Sequence, residues 1–245
     1  MPKKCTNYAS FGAKNVDLLL ARHRGVDGTH WTKVQYVDSI TVSRGIVPGS
    51  KWYCMKASGR INCAAMHLAN KLNDPSQMKI FDDMTYTCRV LKDVDGDKHT
   101  TVRHVQTKPI YPAEARDVVV VTTVEHFTDG IVIATRSVDH DEELFPEQKN
   151  VVRAKVLIGG YIICPISELQ CEVNFLIHID CGGRLPALVL NSLSLDYPVA
   201  LIMRLQALYD VVPYSANTLV KHDVLLHHGI EVAHVVSQAH QVVQL

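Results

Sequence analysis

Two strand-like runs, Val151–Cys164 and Cys171–Cys181, lead through Gly182-Gly183 into a long apolar segment, Leu185–Leu208. A strand pair that delivers one helix, apolar along most of its length, predicts a sheet wrapped around that helix. A sheet curved round a helix can leave a cavity between them. The second run alternates, with Val173, Phe175, Ile177 and Ile179 on one side and Glu172, Asn174, His178 and Asp180 on the other. One face is therefore expected to be buried and the other wet. On a 3.6-residue wheel Leu190, Ser194, Tyr197, Leu201, Leu205 and Leu208 form one stripe, and Ser192, Asp196 and Gln206 mark the opposite side. Pro186 suits a first turn. Pro198 removes a bond to Ser194 and predicts a kink, at a cost of about 3 kcal/mol. Periodicity alone favours a core helix over a ligand lid.

The rest of the chain supplies the sheet. A helix is expected from about Phe11 to Arg24, stopping near Gly25, and a second over Asn62–Leu72, ended by Asn73-Asp74-Pro75. Strands are expected at Lys33–Val37, Ser39–Gly45 and Lys51–Ser58, with Pro48-Gly49 turning between the last two. From Asp82 the period changes to two, predicting strands at Met84–Lys92, Lys98–Gln106, Asp117–Phe127 and Ile131–Val138. Asp95-Gly96 and Asp129-Gly130 are hairpin signals, so the sheet should be mostly antiparallel. Two helices, nine strands and a terminal helix read as one α+β domain.

Composition removes several function classes. Lys+Arg and Asp+Glu both number 25, so the basic excess of a nucleic-acid binder is missing. No apolar run is long enough to span a bilayer, and nothing behind Met1-Pro2 resembles a signal peptide. Seven cysteines without CxxC spacing predict buried thiols in a reducing, cytoplasmic compartment. No GxSxG, P-loop or dinucleotide fingerprint occurs, so no catalytic residue and no cofactor is assigned. His227, Glu231 and His234 could share a helix face, and Asp93, Asp95 and Asp97 suggest a calcium loop. Chance spacing and a hairpin turn explain these better, and no metal site is assigned.

Four motifs occur in order: Arg116-Asp117-Val118-Val119-Val120; Ala134-Thr135-Arg136-Ser137-Val138-Asp139-His140; Val152-Arg153-Ala154-Lys155-Val156 with Gly159–Pro165; and Asp180–Pro186 followed by Asn191-Ser192. Together they resemble the START domain, the lipid-transfer module related to steroidogenic acute regulatory protein. The resemblance runs from about Trp31 to Leu208. It departs at Asp141, where proline is usual, and at Phe81-Asp82, where the family commonly has Trp-Asp or Trp-Asn. It implies a helix-grip fold, a curved nine-stranded antiparallel sheet around a C-terminal helix with an internal lipid tunnel. Loops Thr107–Ala115 and Asp139–Asn150 match the family's two omega loops, which with the C-terminal helix would gate the tunnel and touch membranes transiently. Arg136 and His140 would form a structural ion pair.

The same resemblance implies the lining: Leu190, Ser194, Tyr197, Leu201 and Leu205 from the helix, and Arg103, Thr122, Val124, Phe175 and Ile177 from the sheet. Sterol-carrying relatives pair an acid with an arginine near the ligand's polar end. Here Arg103 stands at the acid's position and Thr122 at the arginine's. A buried, unpaired Arg103 would be expensive. It therefore finds another partner, meets an anionic head group, or sits one residue out of register. The implied function is intracellular carriage of one lipid, whether phospholipid, sterol or another apolar molecule. A lipid-sensing module acting through a partner and a helix-grip enzyme with a hydrophobic substrate are the alternatives. Residues 1–210 form the expected domain. Residues 211–245 form an extension, expected to be an amphipathic helix that packs back, meets a membrane or dimerises.

Overall fold

The computed structural model describes residues 7–96, 99–109, 114–138, 144–183 and 196–210. Helix α1 (Tyr8–Arg24) begins where the Asn7 side chain accepts the Ser10 N–H at 3.0 Å, and ends on Gly25 in the left-handed region at φ 75°. Strands β1 (His30–Val37) and β2 (Ile40–Ile46) follow, joined by Asp38-Ser39 at φ 46° and 69°. Both turn residues are left-handed, the geometry of a two-residue type I′ hairpin. Next come β3 (Cys54–Ile61), α2 (Ala65–Asn73), the four-residue α3 (Met78–Phe81), β4 (Thr85–Asp93) and β5 (Thr100–Thr107). They are followed by β6 (Ala115–Phe127), β7 (Gly130–Ser137), β8 (Val151–Arg153), β9 (Lys155–Ser167), β10 (Gln170–Asp180) and α4 (Asp196–Tyr209).

Nine strands make one antiparallel path, β1-β2-β3-β10-β9-β7-β6-β5-β4. The expected run Val151–Cys164 is two strands, because Ala154 turns its N–H to Asp117 O at 2.8 Å. The short β8 before it pairs parallel with Ala115–Asp117 of β6, off the main path. The third strand begins three residues later than expected, since Ser50 accepts the Trp52 N–H and holds a turn there.

The central strands are buried on both faces, while the edge strands β1 and β4 are largely exposed. On the inner face α2 and α4 join residues of β2, β3, β6, β7, β9 and β10 in one apolar cluster. On the outer face α1 packs Val16 and Leu19 against Val132, Ala134, Ile158 and Leu176. That second layer corrects the expectation of a wet side on β10. Asn174 and His178 are both buried, His178 to 2% exposure; Ser58 bonds to Asn174, and the α1 end and the loop around Ser50 cover His178.

In α4, Leu201 and Leu205 are buried as the wheel predicts, and Asp196 is exposed. Leu208 is 41% exposed, so the buried stripe ends before it. The described helix starts at Asp196, and the expected kink at Ser194 lies outside the described residues. None of the described helices is long and apolar enough to cross a membrane.

Candidate lipid-binding site

Strand register sets the inner face in rows. Val124, Ile133, Tyr161 and Phe175 are successive cross-strand partners on β6, β7, β9 and β10, forming an apolar row. The adjacent row, one inward-facing position along, is Thr101, Thr122 and Thr135. Inward-facing positions on one strand lie about 7 Å apart. Beyond the threonines comes the row of Arg103, Val120 and Ser137. One surface therefore passes from apolar to hydroxylic to cationic along the strands.

Leu201 and Leu205 of α4 join the apolar cluster with Val124, Phe175, Ile177 and Tyr197. The Tyr161 and Phe175 rings lie 5.1 Å apart, and Phe175 meets Tyr197 edge-on at 5.8 Å. The expected lining residues Arg103, Thr122, Val124, Phe175, Ile177, Tyr197, Leu201 and Leu205 all take part in these rows or that cluster. Leu190 and Ser194 lie outside the described residues.

Arg103 is 6% exposed and makes two side-chain hydrogen bonds, from Nε to Thr101 Oγ1 at 2.7 Å and from Nη2 to Asn73 Oδ1 at 2.6 Å. Its partners are thus neutral, and among the described residues no carboxylate is in ion-pair contact with it. Three of its five N–H groups keep no acceptor there. Burial lowers its pKa, with attraction from Cys88 and Asp74 opposing. Thr122 Oγ1 and Thr135 Oγ1 bond to each other at 3.1 Å.

Asp82 is a buried acid absent from the expected lining, although the Phe81-Asp82 departure pointed at it. Its Oδ1 accepts Met84 N–H at 3.1 Å, and its Oδ2 accepts Thr85 Oγ1 at 2.7 Å and Tyr197 Oη at 3.2 Å. Burial nevertheless pushes the Asp82 carboxyl above the ordinary carboxylate range.

Charged residues of the motifs hold the scaffold, while Val120, Thr135, Ser137 and Tyr161 of the same motifs stand in the inner rows. Asp117 accepts Arg153 Nε at 2.8 Å, Arg153 Nη2 at 3.0 Å and His104 Nε2 at 3.0 Å. Burial pushes its carboxyl up, but these bonds outweigh that and hold it below the usual range. Arg116 reaches the carbonyls of Cys181 and Glu114. Arg136 lies over the Phe11 ring at 5.3 Å, which ties β7 to α1. Its expected partner His140 is outside the described residues.

A serine–histidine contact occurs on the outer side, with Ser50 Oγ 3.0 Å from His178 Nε2. Arg22 Nη1 donates to His178 Nδ1 at 2.6 Å, so Nε2 carries the proton and faces Ser50 and the Trp52 carbonyl. Burial and Arg22 push this imidazole down to about 4. A nitrogen that already donates cannot take a serine proton. Among the described residues no group of three or more His, Cys, Asp or Glu is placed to share a metal.

A large antiparallel sheet with a C-terminal helix on its inner face is a helix-grip architecture. The sequence matches the START domain over residues 13–199, and the chain belongs to that family. Human StAR-related lipid transfer protein 5 has a similar structure, with TM-score 0.75 at 17% identity over 82% of this chain and 96% of that one. A STAR-related lipid transfer protein fragment from Xanthomonas axonopodis has TM-score 0.63 at 21% identity, covering 73% of this chain and 98% of that one. By sequence, the uncharacterized protein PA1579 of Pseudomonas aeruginosa is 25% identical over 192 residues, 77% of this chain and 93% of its own length.

Proposed function

We propose that this protein is a lipid carrier that holds one hydrophobic ligand between the inner face of the sheet and α4. The observation that carries the reading is the row Val124, Ile133, Tyr161 and Phe175 placed in one cluster with Leu201 and Leu205. Hiding roughly 400 Å² of lipid surface is worth about 10 kcal/mol at roughly 25 cal/mol per Å². Association costs of several kcal/mol leave enough for carriage with exchange.

The ligand's polar end lies at Arg103. A ligand along the strands would set its tail on the apolar row and its head two rows away, beyond Thr122. An oxyanion there would use the three N–H groups that Thr101 and Asn73 leave open. Thus the sterol-type acid–arginine pair is replaced by an arginine on neutral partners, which favours an anionic head over a sterol hydroxyl. Membrane contact through loops 107–115 and 139–150 and through residues 211–245 belongs to the same proposal. The six described thiols are all free, which suits a reducing cytoplasm.

Mass spectrometry of the full chain as purified, together with transfer of labelled lipid between vesicles, tests the reading. A stoichiometric lipid and rapid transfer are expected, and a protein that neither retains nor moves lipid would overturn it. Removal of residues 220–245 separates their roles, since lost solubility means packing and lost transfer alone means membrane contact. One observation favours a second reading: Asp82, with its raised pKa and its Tyr197 bond, is an acid–base pair beside the apolar cluster. Recovery of a chemically altered ligand would select an enzyme. Binding without transfer would select a sensor.

A further inference from the structure

Three hairpins, β4–β5, β6–β7 and β9–β10, turn at one end of the sheet, and the connections 107–115 and 138–150 leave from the opposite end of the strands. Hairpin tips favour polar residues and glycine. Here Phe127 is 40% exposed, Ile166 48% and Leu169 77%. Leu169 is a central residue of the turn closed by Ser167 and Gln170, where the backbone makes no demand for an apolar side chain. Ile166 has no partner on β10, because the register steps from Pro165–Cys171 to Ser167–Gln170. Such a bulge re-aims the side chain it carries. Gly130 pairs with Phe127, and a Cβ added to it would be 2.6 Å from Ile163 O of β9. In that row no side chain stands between Phe127 and β9, two strand spacings or about 10 Å away.

The chain is neutral overall, but this end carries an acidic excess. Glu125, Asp129 and Glu168 are exposed on the same two tips, and Asp93 and Asp95 stand on the neighbouring one. Glu172 and Asp129 both act on Cys164, adding to burial in pushing that thiol up, which places them together beside it. Arg60 stands across from Glu172, but among the described residues no ion pair engages Glu125, Asp129 or Glu168. Two copies meeting here would bring their carboxylates together, and an anionic bilayer would meet the same repulsion. Carrying the carboxylates into a neutral bilayer costs desolvation without return. A basic partner gains from the acids and the apolar groups alike.

We propose that the β6–β7 and β9–β10 tips form a docking surface for a partner protein, through a segment whose apolar side chains are flanked by lysine or arginine. The surface lies at the far end of the strands from the connections 107–115 and 138–150, so a partner can hold the protein there while that other end is engaged. The assignment is independent of the carrier reading.

The probe is a fluorescein-labelled synthetic helix with leucine along one face and lysine on its flanks, titrated into the full chain and followed by anisotropy. Saturable binding is expected, together with slowed hydrogen exchange in residues 125–131 and 164–171. Phe127→Ser with Leu169→Ser should weaken binding about tenfold, and Asp129→Lys with Glu168→Lys likewise. A peptide with glutamate in place of lysine should not bind. No binding of the lysine peptide, equal binding by both double variants, or protection only elsewhere in the chain overturns the proposal. Should a double variant melt lower than wild type, Leu169→Ser alone replaces it, and unchanged binding overturns the proposal again. Sedimentation and flotation with phosphatidylcholine vesicles cover the other occupants. A wild-type dimer, or vesicle attachment, that Phe127→Ser with Leu169→Ser abolishes would overturn the proposal in favour of a second copy or a membrane.

Discussion

Asn73 Oδ1 accepts a hydrogen bond from Arg103 Nη2 at 2.6 Å, so a buried guanidinium on the inner face is steadied by an amide where a carboxylate would neutralise it. Asn73→Asp should convert that contact into an ion pair with little change in shape. If an anionic head meets Arg103, the substitution weakens ligand binding about tenfold, or about 1.4 kcal/mol. An uncharged ligand should be unaffected. Titration of the co-purified lipid and of its uncharged analogue into both proteins measures this. Arg103→Ala should abolish the difference between the two lipids.

Gly59→Ala should destabilise the fold by about 1–3 kcal/mol, because its Cβ meets Ile202 Cγ2 at 2.6 Å on a strand that cannot retreat. Urea unfolding of the single variants and of Gly59→Ala with Ile202→Ala forms the cycle. The double variant should cost less than the sum, since removal of Cγ2 relieves the clash.

Acid should weaken the fold through two buried histidines. His178 falls from an ordinary 6.5 to about 4, through burial first and Arg22 second. His23 falls to about 4 as well, through burial and then Lys56. Between those values the unfolded chain binds more protons, so stability is full above 6.5 and drains as pH drops towards 4. His178 alone should cost about 2 kcal/mol between pH 6.5 and 5. Asp82 acts oppositely, because its raised folded value makes protonation favour the fold. Denaturant midpoints from pH 7 to 5 should fall, and His178→Gln should flatten the slope even though it loses stability at pH 7.

Ser39→Gly should stabilise the protein by up to about 1 kcal/mol. Ser39 sits at φ 69°, where a side chain is strained and glycine is not. Thermal melting at neutral pH would report it, and a lower melting temperature would contradict the strain argument.

Strand positions were legible because alternation and turn residues act locally. The same local signals failed wherever a distant segment intervened. Alternation in β10 places Asn174 and His178 in water, since nothing in those eleven residues records that Ser58 bonds to Asn174 or that α1 and Ser50 cover His178. The break at Ala154 was hidden because its cause, the Asp117 carbonyl, is on another strand. The described residues taken from the resemblance fall on the inner face or in its cluster, and Asp82 was not among them. A short acid in the α3–β4 corner leaves no periodic trace, and its meaning comes from Tyr197, 115 residues away. The neutral partners of Arg103 were hidden likewise, because Asn73 ends a helix whose contact with β5 is purely tertiary.

The pairing of β3 with β10 has a consequence for how the chain becomes folded. Ser58 and Asn174 hydrogen-bond at 2.6 Å across that seam although 116 residues separate them. Strands β4 to β7 and β9 can zip as neighbours, but β1 to β3 have no place in the sheet until β10 exists. Closing so long a loop is slow. On the ribosome the first sixty residues must therefore wait for the last strand, and the inner face stays open meanwhile. Lipid present during synthesis would then meet an inner face not yet covered. A chain synthesised without lipid and supplied with it afterwards should load more slowly than one synthesised with lipid present.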